Sequence, residues 1–218
     1  MSYVNDLDLR RDVEDELEFE PGLKAAGIGV AVSGGVVTLT GHVGSYAEKL
    51  AAERAAGRVK GVRAIAADIE VRPPAEPDLD DDDIARRAAN ILAWSVYLPA
   101  DAVRITVEQG WLTLSGDVKS QHQRQAAVDA VHHLAGVVGV TNLITVHPPV
   151  TVADVHDRIM SAYRRNAELD SSGIKIAVEG GRVTLSGKVK AWTERRTAEN
   201  AAWAIQGVTE VVDHLKVG

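Results

Sequence analysis

The chain has 218 residues, 45% hydrophobic and 25% charged, with a formal net charge of -7 and no cysteine. That balance belongs to a folded protein; the negative charge argues against broad attraction to nucleic acid or anionic membrane, and the missing thiols exclude disulfides, thiolate catalysis and cysteine metal sites. No run of about 18 uncharged apolar residues is present to span a bilayer, and the opening MSYVNDLDLRRDVEDELEFEP lacks the basic stub and apolar core of a secretory signal, so a cytoplasmic location is expected.

Internal repetition overrides the domain count that length alone suggests. The segments VVTLTGHV, LTLSGDV and VTLSGKV place Gly41, Gly116 and Gly187 at equivalent positions, and the register holds in both directions without a gap. Counting back 32 residues reaches Leu9, Ile84 and Val155, and 18 residues reaches Leu23, Leu98 and Leu169. Counting forward 11 reaches Ala52, Ala127 and Ala198, and 20 reaches Gly61, Gly136 and Gly207.

Each copy begins with an apolar stripe at i, i+4, i+8: Leu9, Val13 and Leu17, then Ile84, Ala88 and Leu92, then Val155, Ile159 and Tyr163. This spacing predicts an amphipathic helix. Acids crowd its start in the first two copies, where the helix dipole favours them; Asp80 to Asp83 read as linker and first turn, since they lack the spaced ligands of a calcium loop. Strict alternation follows, through Ile28, Val30 and Val32, through Val103, Ile105 and Val107, and through Ile174, Ile176 and Val178, which predicts a half-buried strand. Turns at 33 to 35, 108 to 110 and 179 to 181 carry glycine and lead directly into the anchor segment, so a β-hairpin is expected. A second helix presents small residues, Ala52, Ala55 and Ala56 and their counterparts, which allow close approach to the sheet. Gly61, Gly136 and Gly207 are expected to stop it. A last strand runs through Ile65 and Ile69, Val140 and Ile144, or Val211 and Leu215.

The expected architecture is therefore α+β: three tandem α-β-β-α-β units over 5–73, 79–148 and 151–218, each a three-stranded sheet with two helices on one face. Prolines at 73, 74 and 77 and at 148 and 149 stiffen the joints. Units of this size lie near the lower limit for independent folding, so contacts between copies are expected to contribute.

The LxGxV run after an alternating strand, followed by a basic residue (Lys49, Arg124, Arg195), helical alanines and a Gly-Val step into a strand, resembles the BON domain in all three copies. The resemblance implies a bacterial, non-enzymatic, transport-associated module linked to osmotic and other stress, which attaches to phospholipid head groups or partner proteins and is often periplasmic in relatives. It implies no cofactor, and its recurring residues are structural glycines and core apolars. Two alternatives accompany a multivalent adaptor: a structural stress protein that self-associates into homo-oligomers through hairpin edges, and a potassium-sensing module, as in relatives that combine this domain with others.

Catalytic signatures are absent: there is no GxSxG elbow, HExxH pair or P-loop. None of seven histidines recurs in all copies, and the adjacent His132 and His133, read as helical neighbours about 100° apart, are expected not to share a metal. Charge differs between copies: residues 1–75 carry -3, 76–150 carry -5 and 151–218 carry +1. Only the third copy offers a candidate contact for an anionic partner, through Arg164, Arg165, Lys188, Lys190, Arg195 and Arg196. Among the aromatics, Trp203 is expected to pack on its own core. Tyr46 and Trp192, at equivalent helix starts, are candidate exposed contacts, and Trp94, off the apolar stripe, is expected to pack between copies.

Overall fold

The computed structural model describes residues 5–74, 79–147, 155–165 and 173–217. Leu169, the prolines at 77, 148 and 149, and the first residues of the third repeat lie outside them. Within the described residues the same five elements occur three times. The first unit comprises α1 (Asp6–Phe19), β1 (Ile28–Ser33), β2 (Val36–Val43), α2 (Tyr46–Arg58) and β3 (Ala64–Val71). The second comprises α3 (Asp81–Ala93), β4 (Val103–Glu108), β5 (Trp111–Val118), α4 (Gln121–Val131) and β6 (Gly139–Val146). The third comprises α5 (Val155–Arg165), β7 (Ile174–Glu179), β8 (Arg182–Val189), α6 (Trp192–Trp203) and β9 (Glu210–Val217).

Each unit has its own three-stranded sheet with the anchor strand in the middle, antiparallel to the strand before it and parallel to the strand after the helix. Alternation decides which face is covered. Val37 and Leu39, Leu112 and Leu114, and Val183 and Leu185 are fully buried under the two helices, whereas Thr38, Thr113 and Thr184 between them face the other way. Three separate cores result, each uniting the i, i+4, i+8 stripe of the first helix with the alanines of the second. Tyr163 extends that stripe in the third unit, its hydroxyl donating to the carbonyl of Ala198 at 2.8 Å.

The anchor glycines are required by geometry. Gly41, Gly116 and Gly187 adopt φ of 118°, 134° and 121°, and a Cβ on any of them would collide with the carbonyl oxygen of Gly27, Ala102 or Gly173, the residue just before the neighbouring strand. Gly61, Gly136 and Gly207 differ from the helix stops expected of them. The helices end earlier, at Arg58, Val131 and Trp203, and these glycines take the third position of a turn closed by Val62 N–H to Val59 O, Val137 N–H to Leu134 O and Val208 N–H to Ile205 O. Their φ of 100°, 88° and 100° is what that position of a type II turn needs.

The acids at the head of the first helices tie two elements together. The Asp6 carboxylate accepts from the N–H groups of Gly34 and Gly35 at 2.9 and 3.3 Å, and Asp81 accepts from those of Gln109 and Gly110, both at 2.8 Å. Asp80 caps its own helix through Asp83 N–H at 2.8 Å.

Candidate functional site

The three units close into a ring through their second helices, and one repeated position supplies the aromatic at two of the three seams. Five residues past the anchor glycine stand Tyr46, Gln121 and Trp192, at the starts of α2, α4 and α6. Tyr46 packs on the core of the second unit and meets the backbone of Val140. Trp192 lies over Gly57 and Ile65 of the first unit; a Cβ at Gly57 would stand 3.0 Å from its Cδ1. At the remaining seam Gln121 is half-buried, and the aromatic comes from the opposite wall: Trp203, sixteen residues past its anchor as Gly57 is past its own, sits 6.0 Å from the Arg124 guanidinium of the second unit. Units 1 and 2, 2 and 3, and 3 and 1 are thus all in contact.

A cavity of about 470 Å³ at the centre receives side chains from all three units, among them Glu53, Arg54, Asp129, His132, Trp192 and Arg196. Burial shapes its chemistry. Desolvation raises the Glu53 carboxyl above the ordinary range against the pull of Lys49, and desolvation lowers the His132 imidazole although the Val128 carbonyl and Asp129 oppose it. Both groups are biased towards neutrality, which suits a packing surface. A second cavity, of about 520 Å³, opens at the seam between units 2 and 3.

The structure distributes the six candidate cations of the third unit rather than gathering them. Arg164 and Arg165 are exposed at the end of α5 and Lys188 lies on the uncovered sheet face. Lys190 donates its backbone N–H to Glu194. Arg195 is tied to Asp213 at 2.5 Å and stacks 5.0 Å from the Trp192 ring, while Arg196 turns to the central cavity. Strand alternation and helix phase send neighbouring numbers to opposite sides.

The aromatics also depart from expectation. Tyr46 and Trp192 are half-buried in seams instead of exposed, and Trp94, expected between units, projects into solvent at 87% exposure. Trp94 stands at the C-terminal cap of α3; beyond it Val96 is 89% and Tyr97 56% exposed. Tyr97 is braced edge-on against the His122 ring at 5.0 Å. Trp203 does pack on its own core. His132 and His133, expected to diverge, lie just past the end of α4 with ring centroids 3.8 Å apart and planes tilted by 39°. Among the described residues no three His, Asp or Glu converge as a metal site.

Sequence reasoning missed the seams. One signal pointed to them: Gly57 sits inside a helix, where glycine costs about 1 kcal/mol against alanine, so a close neighbour was implied. It also missed Trp111, whose ring lies flat over Gly139 on the uncovered sheet face and donates to Thr141 Oγ1 at 2.8 Å.

The chain is similar to osmotically-inducible protein Y of Escherichia coli (strain K12), with 28% identity over 150 residues, 63% of this chain and 73% of that protein. Solved structures with low similarity include CdsD, a structural protein of the type III secretion system of Chlamydia trachomatis (16% identity, 95% of this chain and 91% of that one, TM-score 0.26), and the PrgH periplasmic domain (11% identity, 88% and 95%, TM-score 0.22). At such scores neither bears on the arrangement of the units. The BON domain matches at residues 5–73, 80–148 and 151–218, nearly the whole chain. With that match and a helix, hairpin, helix and parallel strand written three times, the chain belongs to the BON domain family.

Proposed function

We propose that the chain is a non-enzymatic, stress-related binding protein in which three BON modules act as one rigid body and engage a partner protein through the loop after α3. The observation that carries this reading is the exposure of Trp94, Val96 and Tyr97 side by side. Contiguous apolar side chains left in water mark interaction sites, and Trp and Tyr supply much of the binding energy where partners meet. The loop is not frayed: α3 is anchored at Leu92, and Tyr97 rests on His122. The stress link is carried over from the name of the osmotically-inducible relative.

A phospholipid surface is the second reading, favoured by the same Trp and Tyr, which suit a membrane interface. The acidic balance of the second copy opposes attraction to anionic head groups. A double variant, Trp94→Ala with Val96→Ser, tests both. Cross-linked complexes from osmotically stressed cells, then reconstitution with each purified partner, should show binding to the wild type and at least tenfold weaker binding to the variant, about 1.4 kcal/mol or more, at an unchanged melting temperature. Flotation of the wild type alone with neutral vesicles would instead select the lipid reading. Equal behaviour of both proteins in every assay would remove the loop as a contact.

Self-association remains a distinct proposal, because the outer strands of each sheet carry unpaired edges. Light scattering decides it: an adaptor holds its monomer mass as concentration rises, and a self-associating protein does not.

A further inference from the structure

We infer that the seam between the second and third units is a binding site for a small, neutral, polyhydroxylated molecule, a sugar or polyol. The inference rests on how this seam differs from its two counterparts. At the others the helix-start residue is aromatic, Tyr46 or Trp192, and the cavities there carry carboxylates: Glu53 and Asp129 in the one of about 470 Å³, and Glu48, Asp80 and Asp81 in one of about 930 Å³ between units 1 and 2. Here it is Gln121, and a cavity of about 520 Å³ is left beside Trp203, within the range of small-molecule sites.

The lining is chemically distinctive. Ser120, Gln121 and Gln125 come from one unit and Asn200, Gln206 and Trp203 from the other. No carboxylate takes part, and Lys119 is the lone fixed charge among the lining residues. Each amide can both donate and accept, as each hydroxyl of a polyol can, while the indole offers an apolar face to the C–H groups of such a ligand. The Arg124 guanidinium, 6.0 Å from that ring, packs at the same seam.

At this seam two buried polar atoms lack a hydrogen-bond partner among the described residues: Oε1 of Gln121, a residue that lines the cavity, and Nε of Arg124, one turn along the same helix. Buried polar groups are nearly always satisfied, and a turn of the Gln121 side chain towards the cavity would let its Oε1 accept from a ligand hydroxyl. A ligand seated there touches both units.

The test is calorimetric titration of the full chain with sorbitol, glucose and trehalose, with 15N spectra to locate the site. Saturable binding of at least one is expected, with shifts confined to the side-chain amides of Gln121, Gln125, Asn200 and Gln206 and the indole of Trp203. Gln121→Leu should weaken it about tenfold, the effect of one lost hydrogen bond to a buried group. Asn200→Ala, an exposed position on the opposite wall, should weaken it in the same direction and carries the test if the first variant does not fold. Absence of saturation with all three compounds, binding undiminished in the variants, or tighter binding of citrate than of any polyol would overturn the inference.

Discussion

At the residue scale, the anchor glycines make the sharpest prediction. Gly116→Ala places a methyl group against the Ala102 carbonyl at φ 134° and should cost about 3 kcal/mol or more in urea unfolding. Gly34→Ala, at φ 58° with nothing near it, should cost only about 1 kcal/mol. The adjacent histidines make another. The His132 imidazole is lowered by burial, with His133 and Arg54 adding to the effect and Asp129 and the Val128 carbonyl opposing it. The folded chain therefore binds the proton less readily than the unfolded one, so stability is full above the ordinary histidine range and falls as pH drops through it. Glu53 acts with the opposite sign: its raised carboxyl favours the folded state as pH falls towards the ordinary carboxylate range. Urea midpoints between pH 7.5 and 5.5 should decline for the wild type and flatten in His132→Gln; an equal decline in both would show that the imidazole is not the group responsible.

At the element scale, helix starts separate the three copies. Ser45 and Ser120 accept from the N–H groups of Glu48 and Gln123 at 3.2 and 3.3 Å, as capping residues do. The third copy has Ala191 at that place, with no side-chain cap. Ala191→Ser should therefore stabilise by about 1 kcal/mol, and Ser45→Ala destabilise by a similar amount, in thermal or urea melts. The elements themselves were legible because the signals are local: a stripe at i, i+4, i+8, an alternation, a glycine-bearing turn. The role of Asp6 and Asp81 was not. Their proximity in sequence to a helix start explains their dipole preference but says nothing of a hairpin 28 residues away, whose turn N–H groups they hold.

At the scale of the whole molecule, the ring depends on three dissimilar joints. Trp192→Ala should open the one between units 3 and 1, costing about 2 kcal/mol for a half-buried indole and enlarging the radius of gyration in X-ray scattering, whereas Trp94→Ala should change neither. Apart from the glycine inside α2, none of this could be read along the chain, since a seam needs two surfaces that only folding brings together. The candidate contacts suffered accordingly: Tyr46 and Trp192 look like exposed helix starts until the neighbouring unit is placed against them. The joint between units 3 and 1 has a further consequence, because no linker spans it. A chain truncated after the second unit would bare Gly57 and Ile65 on one end and the α4 surface on the other. Such fragments would present faces complementary to a separately supplied third unit, making them natural substrates for complementation in trans.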